Sequence, residues 1–596
     1  MKELLTLLPY LRPYRGRIAL GLLTVVIANV FSLAPPYLIK EAIDALGGPG
    51  ANRQIIFRYA ALIVITALVG ALARYAMREL LVGVSRWVEY DLRNRFFEHL
   101  LRLDAPFYGT IPTGEIMSRA TNDLGAVRMV AGPAYMYLAN TVIVSVLAVA
   151  LMIWIDPWLT LAAMVPMLVL PPITLRFGAL IEERFEAIQD RFGTLSTMVQ
   201  ENLAGVRIVK AYGQEERQID RFHDLADDYL ERNLSLARVS GVFQPLLTLF
   251  AGLAMASALL VGGRAVMNGS ITIGDFIAFT LYLAMLTWPM IALGWVVNLF
   301  QRGAASMRRL NRVFDAEPVV RDAANARDPG QIRGDLEFRN VSFRYPETER
   351  EVLRNVSFRV PAGQMLALVG ATGSGKSTLA SLIARLYEPT EGEILLDGIP
   401  IRRIPLARLR AAVGMVPQDA FLFSETIREN LGLGFDEADA GRAEDRIRGA
   451  ARIAQLEQTI REMPAGLDTM LGERGVNLSG GQKQRATLAR AIARQPRVLI
   501  LDDALSAVDT HTEAEILRGL RDVLQERTSV VVSHRVSAVM GADLILVIED
   551  GEVAESGAHE DLLKAGGVYA NLLRRQLLAE EVGEEDGLLA RPGSEV

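Results

Sequence analysis

Long apolar runs recur through the first half of this 596-residue chain and stop near residue 315. Six of them, at roughly 18–39, 55–76, 135–155, 158–180, 243–265 and 275–300, match the ~20 residues that a helix needs to cross a bilayer. Pro35-Pro36 interrupts the first run, and a membrane helix tolerates this when neighbouring helices re-satisfy its backbone. Asp156-Pro157-Trp158 makes a tight turn between the third and fourth. The connections 77–134 and 181–242 keep helical periodicity with few breakers. They read as membrane helices continuing far beyond the bilayer, with reversals near Pro112–Thr121 and Tyr212–Arg217. Both connections are rich in arginine, whereas the turns near 45–54, 156–157 and 266–274 hold only Arg53. Positive charge marks the cytoplasmic side, so both connections and both ends of the membrane half lie inside. Arg74 and Arg78 sit near the inner end of the second run, and snorkelling to the inner headgroups accounts for them more simply than a substrate contact.

From about residue 334 the period changes. Short apolar strands alternate with helices, the pattern of an α/β domain. The fold class is therefore multidomain: a six-helix α transmembrane domain, then an α/β domain, which the motifs given below make a P-loop nucleotide-binding domain. The divisions are 1–315 for the membrane part, 316–333 for a linker, 334–578 for the α/β part and 579–596 for an acidic, mobile tail.

Composition narrows the reading further. Hydrophobic residues make up 51% of the chain, and the net charge of −6 carries no bulk nucleic-acid footprint. The absence of cysteine excludes disulfides, thiolate metal sites and cysteine nucleophiles. The five histidines show no metal-ligand spacing. Met1 to Arg17 is basic and aromatic, without a small-residue cleavage site, and reads as an amphipathic helix on the inner membrane face.

The chemistry lies in the second half. Met365–Val369 is a buried strand running into Gly370-Ala371-Thr372-Gly373-Ser374-Gly375-Lys376-Ser377-Thr378, and a helix follows. Glycines let backbone amides wrap a phosphate, and the helix N-terminus adds oriented donors. Lys376 is placed to reach the β- and γ-phosphates, and Ser377 to hold Mg²⁺. A second apolar strand, Val498–Leu501, ends in Asp502, the expected Mg²⁺-side carboxylate.

These motifs, with others in the same order, resemble the ATP-binding-cassette (ABC) exporters over essentially the whole chain. Leu478-Ser479-Gly480-Gly481-Gln482 is similar to the family signature, which grips a nucleotide held by another copy of the domain. By the same resemblance Tyr345 stacks on adenine, and Gln418 links Mg²⁺ and the γ-phosphate to the membrane helices. Ser506–Asp509 contacts the opposite subunit, and His534 in Ser533-His534-Arg535 approaches the γ-phosphate. In the membrane half Thr113–Arg119 with Thr121–Asp123 resembles the exporters' first cytoplasmic reversal, and Glu201–Arg207 with Lys210–Tyr212 the helix before the second. Gly472–Gly475 is similar to the exporter segment that meets those reversals. One span set ahead of one ATPase implies a half-transporter of the multidrug or lipid type. It would need ATP, Mg²⁺, a bilayer, a hydrophobic or amphipathic substrate and a second half-transporter, with no nucleic acid. The location implied is the inner membrane of a prokaryote, with the ATPase cytoplasmic.

One position departs from the family. Asp503 follows Asp502 where the family has the glutamate that polarises the attacking water. Asp is one methylene shorter, and a misplacement of about 1 Å costs roughly 100-fold in rate. The expectation is a slow site on this chain, with an intact signature completing the faster site of a different partner whose own signature is altered. The alternatives are a homodimer that uses Asp503 as base, and an ATP-gated membrane regulator.

Overall fold

The computed structural model describes residues 2–47, 52–346, 348–435, 441–534 and 539–577. The acidic tail, the turn at 48–51 and Arg535 of the histidine motif lie outside them. Contacts divide the chain into two compact units: Met1–Leu101 with Gly114–Ala316, and Arg102–Thr113 with the chain from Glu317 onward.

The first unit is built on α1 (Arg15–Gly47), α2 (Arg53–Arg102), α3 (Thr113–Ile155), α4 (Pro157–Ala204), α5 (Glu215–Met267) and α6 (Ile273–Phe314). Each of the six predicted spans falls within a helix long and apolar enough to cross a membrane. α5 has 53 residues, which at 1.5 Å per residue is about 80 Å, more than twice a hydrocarbon core. The arginine-rich connections are therefore continuations of the spans, as their periodicity implies. Pro35 and Pro36 lie inside α1 without ending it. Beside them Tyr282 of α6 donates to the Leu33 carbonyl at 3.1 Å, the kind of inter-helix bond that lets a span keep its prolines. Asn29 donates to Asn140 of α3 at 3.1 Å, polar glue between spans. Arg74 and Arg78 are exposed on α2.

The first reversal lies earlier than the sequence suggests. α2 ends at Arg102, a short helix spans Ala105–Thr110, and α3 begins at Thr113. Thr113–Asp123, which resembles a reversal in sequence, is helical and includes a π-turn at Arg119–Asp123. Proline explains the difference. Pro106 starts the short helix, and Pro112 follows an extended Ile111 and precedes the next helix, because proline suits a helix start rather than its interior. The second reversal uses a short helix, Val206–Ala211, and turns through Tyr212-Gly213-Gln214, with Gly213 at φ +58°. α5 begins at Glu215, so Glu215–Arg217 is already helical.

The second unit holds two sheets. β1 (Leu336–Arg344), β2 (Glu351–Val360), β4 (Glu391–Leu396) and β5 (Ile399–Pro400) form an antiparallel sheet ordered β2-β1-β4-β5. β3 (Met365–Val369), β6 (Val413–Val416), β7 (Val498–Asp502), β8 (Thr528–Val532), β9 (Leu544–Glu549) and β10 (Glu552–Gly557) form the other, ordered β10-β9-β3-β8-β7-β6. Its five inner and edge strands other than β10 run parallel. Alternate residues of each strand enter opposite cores. Leu366, Leu368, Ile500 and Val530 go to one, and Ala367, Leu499, Leu501 and Val531 to the other. Burial on both faces is why these strands read as unbroken apolar runs.

Candidate active site

β3 and β7 both pair with β8, so their carboxyl ends open side by side. That end of a parallel sheet is where ligands bind. The glycine-rich loop leaves β3 there and leads into α7 (Lys376–Ile383). Gly375 caps α7 at φ +106°, and a Cβ on it would come within 2.7 Å of Leu353 Cδ2. Only glycine fits that turn. The Lys376 ammonium folds back onto its own loop, donating to the carbonyls of Gly370 at 2.9 Å and Ala371 at 2.7 Å. Burial holds its pKa below the usual lysine range, against the pull of Asp502 and Asp503. A buried ammonium resting on neutral carbonyls is ready to exchange them for phosphate oxygens.

Asp502 ends β7 and is buried. Its Oδ1 accepts from Ser377 Oγ at 3.0 Å. Burial pushes its carboxyl above the usual carboxylate range. The Ser377 bond and Lys376 oppose the shift, and Asp503 adds to it. Asp503 adopts the left-handed conformation, φ +47°, with its N–H bonded to Val532 O at 2.9 Å. Asp and Asn tolerate that region better than longer side chains.

One cleft of about 270 Å³ is lined by Tyr345, Thr372, Gly373, Gly375, Lys376, Ser377, Thr378, Gln418, Asp502, Asp503 and His534. The structure thus gathers these eleven sequence-derived candidates around one opening, with Gly370 and Ser374 in the loop behind. Gln418 reaches it from the turn after β6. The Tyr345 hydroxyl lies 3.0 Å from Thr378 Oγ1, and its ring meets Phe343 and Tyr387 edge-on. Val352 of β2 also lines the cleft; it is an ordinary strand residue in sequence and carries no motif.

The signature does not line this cleft. Ser479 caps α8 (Gly480–Ala493), its Oγ accepting from Gln482 N and its N–H donating to Gln482 Oε1. Ser479 and Gly480 are exposed at the helix start, whose amides form a ready anion site. A Cβ on Gly481 would stand 2.8 Å from Ala507 O, so glycine lets the signature helix approach the Ser506–Asp509 turn. Asp509 itself caps α9 (Thr510–Gln525) by accepting from Thr512 N at 2.9 Å. The residue that ties these parts together is Gln484, which the motifs pass over. It is buried, donates to Ser506 Oγ at 2.9 Å and accepts from Ala507 N at 2.9 Å. Its place two residues beyond Gln482 on α8 is the only sequence signal it leaves.

Among the described residues no three His, Asp or Glu form a group able to hold a metal alone. The donor set fits Mg²⁺ nonetheless. A buried carboxylate and a hydroxyl 3.0 Å apart, with Gln418 in the same cleft, are hard oxygen ligands, and Mg²⁺ is usually held by one or two of these plus phosphate and water.

Comparison with known proteins agrees with this arrangement. The family description "ABC transporter transmembrane region" matches residues 18–290, and "ABC transporter" matches 353–506. The chain is similar to the probable multidrug resistance ABC transporter ATP-binding/permease protein YheI of Bacillus subtilis, 37% identical over 96% of this chain and 98% of that one. It is similar to the multidrug resistance-like ATP-binding protein MdlA of Escherichia coli, 38% identical over 95% of each chain. An ATP-dependent lipid A-core flippase of Syntrophus aciditrophicus is 34% identical over 98% of this chain and 96% of that one. The solved structure of a bacterial Atm1-family exporter with ATP bound superposes with a TM-score of 0.78 at 31% identity, covering 98% of this chain and 99% of that one.

Proposed function

The chain belongs to the ABC transporter family as a membrane-embedded export ATPase, and we propose that it is the slow-site subunit of a heterodimeric exporter of amphipathic small molecules or lipids. The multidrug and lipid A-core names of its relatives support that substrate class. The observation that carries the asymmetric reading is the pairing of Asp503 at the base position with an intact signature. A general base must come within about 2.6–3.2 Å of its water, and in this reading a carboxylate one methylene short, on a backbone whose N–H is bonded to Val532 O, does not come that close.

In this reading Lys376, the loop amides and the start of α7 hold the phosphates, and Tyr345 stacks on the base. Ser377 and Asp502 hold the Mg²⁺, which offsets phosphate charge when bound. His534 and Gln418, which line the same cleft, approach the γ-phosphate. Asp503 leaves this ATP hydrolysed slowly, so it clamps the two ATPase domains together. Ser479, Gly480 and Gly481 face out to the ATP held by the partner, where a glutamate does the chemistry. Closure around two nucleotides switches the membrane helices outward, and hydrolysis at the partner's site resets them.

Native mass spectrometry of the chain, expressed with and without its genomic neighbour and read alongside ATPase rate, tests this. A hetero-pair that alone hydrolyses ATP at exporter rates is the expected result. An equally active homodimer would show Asp503 to be a competent base and end the asymmetric reading.

A further inference from the structure

A line of hydrogen bonds, most of them buried or partly buried, runs from behind the phosphate loop to the first cytoplasmic reversal, wholly within the second unit. Asp104 sits just ahead of the short helix Ala105–Thr110, at the position where an aspartate normally caps a helix. It makes no cap bond. Its side chain, in a residue 9% exposed, instead accepts from the N–H of Val320 at 2.7 Å. Val320 is buried and lies in the segment that leads from the membrane helices into β1. The next residue, Arg321, gives its carbonyl to Arg385 Nη2 at 2.8 Å.

Arg385 follows the end of α7 and is 1% exposed, with backbone in the left-handed region at φ +48°. Its Nε donates to Glu388 Oε1 at 2.7 Å, and Nη1 points at the carbonyls of Ile401 and Ile404 at 3.4 Å. Asp322 Oδ1 accepts from Leu406 N at 2.7 Å, a second tie between the same segment and the ATPase fold. The segment, the reversal and the back of α7 are thus joined by fixed donors and acceptors, and α7 begins with the Lys376 and Ser377 that meet the nucleotide.

We propose that Asp104 is a positioning residue for transport coupling: it pins the first reversal to the segment entering the ATPase, so that both follow α7 when nucleotide binds. Val320 N–H has a buried carboxylate as its partner, so the Asp104 side chain is a direct hydrogen-bonded tie between the reversal and that segment. Asp104 is not among the residues that line the nucleotide cleft. Its loss should separate ATP binding from membrane movement rather than remove either.

The inference rests on ATP-driven export and not on the role of Asp503. The test uses the chain with its co-expressed partner. This chain has no cysteine, so Ile56→Cys and Met267→Cys, both exposed at the outer ends of α2 and α5, give a spin-label pair unique within it. The label distance is read with and without ATP plus vanadate, and trinitrophenyl-ATP measures nucleotide affinity. Asp104→Ala should keep nucleotide affinity and ATPase rate within about two-fold while losing most of the ATP-driven distance change. Asp104→Asn keeps an oxygen acceptor for Val320 N–H and should restore it. A full distance change in Asp104→Ala overturns the pin. So does a loss of nucleotide affinity in step with melting temperature, since the residue would then be merely structural. No ATP-driven change in the unmutated pair would overturn alternating access along with it.

Discussion

Replacing Asp503 by asparagine asks which ATP this chain hydrolyses. The change is conformationally quiet. Asp503 sits at φ +47°, where Asn is as comfortable as Asp, and its bonds to Val532 O and from the Ser506 N–H and hydroxyl use only its own backbone N–H and carbonyl. Only the charge and basicity are removed. If Asp503 were a working general base, the loss would be about 10²- to 10⁴-fold, some 3–5 kcal/mol of barrier. If it is a short carboxylate at a clamp site, total ATPase of the hetero-pair changes by less than about two-fold, because the turnover comes from the partner's site. Ser479→Ala in the same pair supplies the contrast. It removes a hydroxyl at the exposed start of α8 and the N-cap of that helix, and loss of one such donor to developing charge costs about 10²- to 10³-fold. The assay is steady-state phosphate release by the co-purified pair, with each variant's melting temperature checked. A 100-fold loss in Asp503→Asn, or an unaffected Ser479→Ala, would refute the division of labour.

Other consequences follow from the site. Asp502→Asn keeps an acceptor for Ser377 and removes a buried charge, so it should raise the melting temperature of the nucleotide-free protein at neutral pH while abolishing the Mg²⁺ dependence of nucleotide binding. Because burial raises the Asp502 pKa in the folded protein, wild-type Asp502 protonates there before it would in the unfolded chain. The thermal advantage of Asn therefore shrinks as pH falls through the carboxylate range, which scanning fluorimetry across pH reads directly. Tyr345→Phe loses the hydroxyl contact to Thr378 but keeps its ring, and should weaken ATP binding by less than about ten-fold. Tyr345→Ala should weaken it by a further 5- to 150-fold, by analogy with the ~1–3 kcal/mol of base stacking on an aromatic ring, as fluorescent-nucleotide titration checks. Gln484→Leu strands the Ala507 N–H next to the signature helix, at a cost of about 1–3 kcal/mol. It should lower the melting temperature and slow phosphate release.

The sequence made the membrane helices legible because apolar runs and arginine placement obey strong solvent rules that packing does not override. The cleft was legible for a different reason. Glycine at 370, 373 and 375, lysine at 376 and acids at 502 and 503 are demanded by backbone conformation and phosphate chemistry, which leave local traces. The first reversal was misplaced because Pro112 reads as a breaker from either side, and only the helix beginning at Thr113 shows which side it serves. Gln484, Arg385 and Asp104 left almost no trace, since each acts through a partner remote in sequence. Asp104 bonds an amide 216 positions away, where a local reading would make it a helix cap.

That contrast bears on the asymmetric reading itself. The residues lining the cleft can all be assigned from one chain, yet the signature, which the family uses on a nucleotide, is absent from the lining of its own cleft. In the asymmetric reading an isolated chain carries one half of each of two different sites. Its motifs state what each half can do, and the chemistry at either site depends on what faces it. For that reason Asp503→Glu is not the mirror image of Asp503→Asn. Lengthening the carboxylate would supply reach at a backbone less comfortable for glutamate, but the ATP at Lys376 would still meet the partner's signature. In the hetero-pair Asp503→Glu should leave total ATPase within about two-fold, whereas in a forced homodimer, where Ser479–Gln482 of a second copy faces the cleft, it should raise the rate by at least ten-fold. Equal gains in both assemblies would mean that the methylene alone limits this site and that the facing signature is not altered.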